Sequence, residues 1–235
     1  MPAGLPARVA VIADVHGNTW ALDAVLADID RRGIERIVAL GDHAYGPLDP
    51  GGAVDRLMAR GVDAVKGNED RIGTDGLTLR QWDWLAGLPD VSEPWQGAVA
   101  FHGTADDDRS YFLWRVEKGV LRQATDDEAL AAADRLARDW VLCAHDHVPR
   151  SVLGGGLCIV DPGSVGLPAY NDDHPVPHVM EAGSPHARYS VVRPDVAEQL
   201  VEHVSLEYDW CAAARAAEDN GRPDWARWLA TGSAI

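Results

Sequence analysis

The 235-residue sequence is poor in cysteine and contains no long apolar run. Its three cysteines include no Cys-x-x-Cys pair, which excludes a disulfide framework and is typical of a reducing compartment. The first apolar stretch, Val9 to Ala13, is too short for the core of a signal peptide. No segment reaches the length of about 20 apolar residues that a membrane span needs. We therefore expect a cytoplasmic protein without a membrane partner.

Basic residues are also scarce in this sequence. The 21 Lys and Arg residues against 37 Asp and Glu residues give a formal net charge of −16. This charge argues against binding to nucleic acid or anionic lipid, because both are themselves negatively charged. It leaves room for a small anionic substrate, since a bound cation can reverse the local field. The length is sufficient for one large core, so we predict a single domain over residues 1–235.

The first part of the chain repeats a unit of one strand and one helix. Apolar runs and helical spacing predict strands over 8–13, 36–40 and 62–66, and helices over 18–32 and 52–60. Asn18 suits the N-cap of the first helix, and Gly33 suits its end. Three such units in series predict a parallel sheet with right-handed crossovers.

Beyond Asp70 the pattern changes to short strands with fewer helices between them. We predict helices over 77–85, 126–138, 208–218 and 224–230, and strands over 91–95, 98–101, 140–144, 157–160, 188–192 and 200–206. This strand-rich part predicts a second sheet packed on the first, so the fold class is α/β. The segment from Tyr170 to His186 is rich in Pro, Asp and His without periodicity, and we interpret it as a long surface loop.

Several of the predicted strands end in side chains that can bind a metal ion. These candidate ligands are Asp14, His16, Asp42, Asn68, His102, His145 and His147. Because the carboxyl ends of parallel strands meet at one edge of a sheet, we expect these side chains to lie together. An isolated Asp-x-His is ordinarily a surface turn, but ligands after successive strands argue against that explanation.

The chemistry of this set points to transition metals. Carboxylate, amide and imidazole groups together suit Mn, Fe, Zn, Ni or Co rather than Ca. Seven ligands are too many for one ion and suffice for two if one carboxylate bridges them. Asp42, alone at the end of the central strand, is the natural bridge. Two ions about 3.5–4 Å apart form a clamp for phosphoryl chemistry, so the pattern predicts a metal-dependent phosphoesterase.

The motifs resemble those of the calcineurin-like metallophosphoesterase superfamily, and especially its small bacterial and archaeal branch. They are Asp14-Val15-His16, Gly41-Asp42, Tyr45-Gly46-Pro47, Gly67-Asn68-Glu69-Asp70, His102-Gly103, Ala144-His145-Asp146-His147 and Asp161-Pro162-Gly163-Ser164-Val165-Gly166. The resemblance covers nearly the whole chain. It implies a four-layer αββα sandwich, in which helices flank two packed mixed sheets and a dinuclear metal site lies at the sheet edge.

The resemblance also implies a division of the ligands between two ions. One ion would be held by Asp14, His16 and His147, the second by Asn68, His102 and His145, and Asp42 would bridge them. Manganese or iron is favoured, with zinc, nickel and cobalt as alternatives. The implied reaction is hydrolysis of a small phosphate ester or anhydride, a nucleotide among the candidates, by a hydroxide that bridges the ions.

One residue departs from the family pattern. Glu69 stands where the family has a histidine that protonates the leaving group or steadies the phosphate. A carboxyl group acts as a general acid only if its pKa is raised, and two neighbouring cations would normally lower it. We therefore expect Glu69 to be a poor proton donor, which favours phosphodiesters and anhydrides.

Two neighbouring side chains and two other functions stay open at this stage. His43 would either contact substrate and supply an acid or serve in packing, and Asp70 would either orient a ligand or the hydroxide or simply end a helix. The chain could instead be a metal-binding or phosphate-sensing module that lost catalysis, or a nuclease subunit, although the acidic charge disfavours the latter. Because all seven ligand positions are filled, we favour an enzyme.

Overall fold

Two five-stranded mixed β-sheets form the centre of the fold in a computed structural model, which describes residues 5–72, 74–196 and 198–235. The strands are β1 (Val9–Ile12), β2 (Arg36–Ala39), β3 (Asp63–Ala64), β4 (Val91–Ser92), β5 (Ala98–Phe101), β6 (Trp114–Glu117), β7 (Val120–Gln123), β8 (Trp140–Leu142), β9 (Arg150–Gly154), β10 (Leu157–Asp161), β11 (Ala169–Asp172), β12 (His178–Glu181), β13 (Ala187–Arg193) and β14 (Leu200–Leu206). The helices are α1 (Thr19–Arg31), α2 (Pro50–Arg60), α3 (Leu79–Gly87), α4 (Asp126–Asp134), α5 (Trp210–Asp219) and α6 (Pro223–Thr231), with a 3-10 turn at Glu69–Arg71.

The first sheet has the strand order β14-β13-β1-β2-β3. The strands β1, β2 and β3 are parallel neighbours, as the three predicted strand–helix units require. β13 pairs antiparallel with β1, and β14 pairs antiparallel with β13. Val11 of β1 lies between Val38 of β2 and Ser190 of β13. The carboxyl ends of β1, β2 and β3 therefore lie at one edge of this sheet.

The second sheet has the order β4-β5-β8-β10-β9. Its three central strands, β5, β8 and β10, are parallel, and the two edge strands are antiparallel to them. The segments that follow β5 and β8 therefore leave this sheet at one edge, as the corresponding segments of the first sheet do. The predicted second sheet is confirmed.

Alternate residues of β1 face two different cores, which shows how the layers are stacked. Val9 and Val11 pack between the sheets with residues such as Leu142 of β8, whereas Ala10 and Ile12 pack outward in the core that includes Leu22 of α1. All of β1 is buried, which explains its uninterrupted apolar sequence. The outer face of the second sheet packs on α4, so the order of layers is αββα.

The ends of the helices follow the predicted signals where local chemistry is strong. The Asn18 side chain accepts a hydrogen bond from the backbone N–H of Ala21 at 3.1 Å and so caps α1. Gly61 ends α2 with φ of 58°, a left-handed conformation that favours glycine. Among the described residues, no helix combines the length and the apolar character needed to cross a membrane.

The prediction of a long surface loop from Tyr170 to His186 is wrong. This segment contains most of a β-hairpin, in which β11 pairs with β12 and Tyr170 lies opposite Met180. Each strand has only four residues, and the side chains at 171–175 are all exposed, so the alternation is too short to recognise. A polar composition therefore concealed regular backbone pairing.

Other features also differ from the prediction, among them strand β9, which was not predicted. The hairpin of β6 and β7 was not predicted, although Lys118 and Gly119 between its strands both adopt positive φ, as a two-residue hairpin turn requires. The helix predicted over 126–138 ends at Asp134, because the chain turns through Ala137, with φ of 52°, before it enters β8.

Candidate metal centre

The ends of the central strands of both sheets meet and bring the predicted ligands together. Six of the seven fall into two buried groups, and within each group the ligand atoms lie within 4.8 Å of one another. The groups are Asp14 with His16 and His147, and Asp42 with His102 and His145. The seventh, Asn68, lines the same cavity as members of both groups.

The first group joins the end of β1 to the segment after β8. Nε2 of His16 lies 3.3 Å from Nε2 of His147, which in turn lies 3.3 Å from Oδ1 of Asp14. The three side chains are almost fully excluded from solvent. They therefore present two imidazole nitrogens and a carboxylate to one buried point.

The second group joins the end of β2 to the segments after β5 and β8. Nε2 of His102 lies 3.3 Å from Oδ2 of Asp42 and 3.2 Å from Nδ1 of His145. The two groups are adjacent, because the same Nε2 of His102 lies 4.0 Å from Oδ1 of Asp14. Asp42 also lies close to His16 and Glu69, so its carboxylate stands between the groups.

Hydrogen bonds orient three of the four histidines for metal binding. In each, Nδ1 donates to a backbone carbonyl group, and this leaves Nε2 to face the centre with its lone pair in the neutral ring. The donors are His16, His102 and His147, and their acceptors are Tyr45, Leu40 and Leu167, at 3.0, 2.6 and 2.6 Å. Two such lone pairs, on His16 and His147, face each other, an arrangement that a cation between them would stabilise.

Buried oxygen atoms at the centre also fit a metal ion. Both carboxylate oxygens of Asp14 and Oδ1 of Asn68 are buried and accept no hydrogen bond from the described residues. An unsatisfied buried polar atom costs about 1–3 kcal/mol, and more when it is charged. Coordination to a cation would remove this cost, so the residues present fit the metal ions that their chemistry implies.

The backbone of the ligand residues is strained. Positive φ occurs at Asp14, His16, Asp42, His145 and His147, which are five of the eight such non-glycine residues in the described chain. Each conformation of this kind costs roughly 1–3 kcal/mol and persists only where the surroundings enforce it. Here main-chain hydrogen bonds enforce it in part, since Asp14 N–H donates to Gly41 O and His16 N–H to Asp42 O.

The charges of the centre depend strongly on one another. Burial opposes ionisation of Asp42, but the adjacent His102 outweighs it and holds the pKa of this carboxyl well below its usual range. Burial also opposes charge on His102, yet Asp42 raises the pKa of His102 to about 10. For His145, burial and then the charge of His102 lower the pKa to about 3, so its imidazole is neutral, the form that binds metal.

Asp70 and His43 lie behind the centre rather than in the cavity. The Asp70 carboxylate accepts hydrogen bonds from the backbone N–H groups of Asp42, His43 and Gly67, each at 2.9 Å. His43 is fully buried, and its Nε2 donates to the carbonyl of Val65 at 3.0 Å. This placement favours the packing alternative for His43. The hydrogen bonds to Asp70 fix the backbone segment that carries Asp42.

Glu69 faces the cavity beside the ligands. Its backbone N–H donates to Oδ1 of Asp42 at 2.9 Å, and its Oε2 lies 3.3 Å from Nδ1 of His16. Burial, and then the negative charge of Asp42, raise the pKa of Glu69 to about 9 among the protein groups alone. The lower pKa that we expect for Glu69 beside two cations applies to the metal-bound protein. Glu69, His16 and Asp42 form a third group able to hold an ion, which the sequence did not indicate.

The cavity in front of these groups has a volume of about 600 Å³. Aromatic side chains from distant parts of the chain line it, among them Tyr45, Tyr170 and Trp225, and Arg71 and Arg109 also border it. Trp225 of α6 contacts His16 edge-on, with ring centroids 5.6 Å apart. Tyr45 belongs to the Tyr45-Gly46-Pro47 motif that follows Asp42, whereas no local sequence signal connects Tyr170 and Trp225 with the centre, because only the tertiary fold brings them there.

Comparison with solved structures shows the same fold in bacterial and archaeal proteins. A metallophosphoesterase from Sphaerobacter thermophilus superposes with a TM-score of 0.76 and 23% sequence identity, over 96% of this chain and 99% of its own. Protein PH1004 from Pyrococcus horikoshii gives a TM-score of 0.68 and 19% identity, over 97% and 99% of the two chains. These likenesses support the sandwich architecture.

Comparison of sequences identifies the family. Protein MJ0912 of Methanocaldococcus jannaschii is 42% identical over 62 residues, a match that spans only 26% of this chain and 26% of that relative. The family model for the calcineurin-like phosphoesterase superfamily domain matches residues 8–181, which include all seven candidate ligands. The chain belongs to the calcineurin-like phosphoesterase superfamily.

Proposed function

We propose that this protein is a hydrolase that cleaves a small phosphodiester or a nucleotide-like phosphate anhydride with the help of two metal ions. The observation that carries the proposal is the pair of buried ligand groups that Asp42 stands between, together with the unsatisfied oxygens of Asp14 and Asn68. When bound, two transition-metal ions would supply Lewis acidity and an activated water, with manganese or iron favoured over zinc, nickel or cobalt.

The protein would divide the ligands between the two ions by their place in the fold. One ion would be held by Asp14, His16 and His147, the other by Asn68, His102 and His145, with Asp42 shared. The anchored Nδ1–H groups of three of the histidines keep the rings aimed at the centre, so little reorganisation is needed on binding.

The cavity supports a substrate larger than a bare phosphate. Its volume of about 600 Å³ falls in the range of sites for small organic ligands, and aromatic side chains form part of its wall. The carboxyl group of Glu69 borders the position that a phosphate would take beside the ligands. In the metal-bound protein, where two cations would lower the pKa of Glu69, its negative charge repels a phosphomonoester dianion more than a diester monoanion, so we expect diesters and anhydrides to be the better substrates.

A screen of the metal-loaded protein tests this proposal. We expect bis(para-nitrophenyl) phosphate to be hydrolysed faster than para-nitrophenyl phosphate with Mn or Fe, and a nucleoside diphosphate belongs in the same panel. Faster hydrolysis of the monoester would contradict the substrate class. Binding of two ions without hydrolysis of any of the three would instead support the sensing module, in which Glu69 has replaced the family histidine.

Substitution of Glu69 examines the reason for the preference. We expect Glu69→His to raise the ratio of monoester to diester hydrolysis about tenfold, because it removes a negative charge and adds a proton donor. Glu69→Gln is the matched control, since it removes the charge without adding an acid. An unchanged ratio in both variants would show that Glu69 does not set the preference.

A further inference from the structure

One ligand histidine lacks the anchor that the other three possess. Nδ1 of His145 faces the centre, and its Nε2 makes no hydrogen bond to any residue that the structure describes. No acceptor among the described residues therefore fixes the rotation of this ring, in contrast to the rings of His16, His102 and His147. A ligand that turns freely binds metal less tightly, so the binding strength of His145 depends on the packing around its ring.

The packing around the ring of His145 is aromatic. The ring of Tyr111 stacks on the ring of His145, with centroids 4.7 Å apart and an angle of 18° between the planes. Tyr111 is itself buried and does not line the cavity, so it is not available to contact a substrate. A stacked aromatic ring restricts the tilt of its neighbour through dispersion and quadrupole interactions.

A second tyrosine holds the backbone of the same ligand. The hydroxyl of Tyr170 donates to the carbonyl of His145 at 2.8 Å, and the ring of Tyr170 contacts His147 with centroids 4.6 Å apart. His145 has φ of 78°, and this hydrogen bond helps to hold that strained conformation. Tyr170 thus contacts ligands of both groups.

Tyr170, Tyr111 and His178 form a continuous series of polar contacts. The hydroxyl of Tyr170, which donates to the carbonyl of His145, lies 2.9 Å from the hydroxyl of Tyr111. Nε2 of His178, on β12, contacts the same Tyr111 hydroxyl at 2.8 Å. Tyr170 lies on β11, so both strands of this hairpin take part.

We propose that Tyr111 and Tyr170 are positioning residues that hold His145 in its metal-binding orientation, with the β11–β12 hairpin as their support. Tyr111 acts through the face of its ring and Tyr170 through its hydroxyl group. The inference rests on the proposed metal centre but not on any hydrolytic activity. The inference gives the β11–β12 hairpin a role in supporting a metal ligand, which the polar sequence of this segment did not indicate.

Titration of the metal-free protein with Mn²⁺ tests the proposal without a substrate. Calorimetry and electron paramagnetic resonance measure each binding step. We expect two ions per chain for the wild type, and His145→Ala identifies the binding step that depends on this ligand. Tyr111→Met fills the space without a ring, and we expect it to weaken that same step about tenfold while the other step changes less than twofold.

Conservative variants separate positioning from general loss of structure. Tyr111→Phe keeps the stacked ring, so we expect it to stay within about threefold of the wild type at both steps. Tyr208→Phe is the matched control, because it removes a tyrosine hydroxyl that contacts Asn18 at 3.2 Å and no metal ligand. We expect no change in either step for this control.

Three results would overturn the inference. They are wild-type affinity in Tyr111→Met, equal losses in Tyr111→Met and Tyr111→Phe, and equal weakening of both binding steps. If Tyr111→Met does not fold, Tyr170→Phe decides, since loss of its hydroxyl should weaken the His145 step about threefold, and wild-type affinity would contradict the proposal. Fewer than two ions in the wild type would overturn the dinuclear centre itself, whereas two ions with silent variants would overturn this inference alone.

Discussion

The two sheets contribute to the same centre in different ways. Strand ends of the first sheet provide the oxygen ligands and His16, and the chain there is held largely by main-chain hydrogen bonds and by the buried carboxylate of Asp70. The second sheet provides only histidines, and His145 is held by packing and hydroxyl contacts from Tyr111 and Tyr170. Backbone groups therefore hold the ligands of the first half and also orient His102 and His147 of the second, whereas His145 alone depends on distant aromatic side chains.

The largest effect is expected where the two halves meet. Asp42→Ala should lower the affinity for both ions more than about a hundredfold, because Asp42 stands between the groups, whereas His145→Ala should weaken one of them. Metal analysis of the purified variants measures this difference. Asp42→Asn is the control for the backbone, since Asn tolerates the φ of 54° found here. Loss of one ion alone in both Asp42 variants would contradict a bridging position.

A smaller but substantial effect is expected from Asp70, whose buried carboxylate fixes the backbone around Asp42 in the first sheet. In Asp70→Asn, an amide N–H₂ group faces one or more of the three backbone N–H groups from which the carboxylate accepts hydrogen bonds. Two donors then face each other without an acceptor. We expect the free energy of unfolding to fall by about 2–4 kcal/mol, with weaker metal binding as a consequence. Denaturant unfolding of the metal-free protein measures the loss. Wild-type stability would show that main-chain hydrogen bonds suffice without Asp70.

The smallest effect is expected from a carboxylate of the first half that lies away from the centre. Burial would raise the pKa of Asp28 on α1, but hydrogen bonds from Tyr189 and Arg32 outweigh it, and the net shift is downward. This carboxylate therefore stabilises the fold above its unfolded pKa of about 3.9, and the contribution is lost as the pH falls through the lower pKa of the folded state.

Asp28→Asn should accordingly lower the free energy of unfolding by about 1–2 kcal/mol at pH 7, with metal affinity unchanged. Measurements of stability against pH should show the difference from the wild type shrinking below about pH 4. A difference that persists unchanged in acid would contradict an ionised Asp28. Weaker metal binding in this variant would show that a destabilising substitution far from the ligands in the first half also lowers metal affinity.

Local patterns in the sequence are strong in the first half of the chain and weak in the β11–β12 hairpin, for physical reasons. The strand–helix units of the first half were predicted because β1 is buried on both faces and α1 carries a strong cap at Asn18, and both features leave local patterns. The β11–β12 hairpin was missed because only Ala169 and Met180 are buried among the residues of its two strands. Its stability comes from contacts with residues such as Tyr111, which lie far away in the chain.

The sequence by itself determined the α/β class, the family and the identity of the candidate ligands, because strand-end Asp, His and Asn residues lie in short motifs of fixed spacing. Only the tertiary structure decided which ligands face one another, that Asp70 braces the backbone, that Glu69 borders the ligands, and that Tyr111 stacks on His145. Short motifs are encoded locally, whereas the distance between two sheets and the rotation of a buried ring are set by packing among residues remote in the chain.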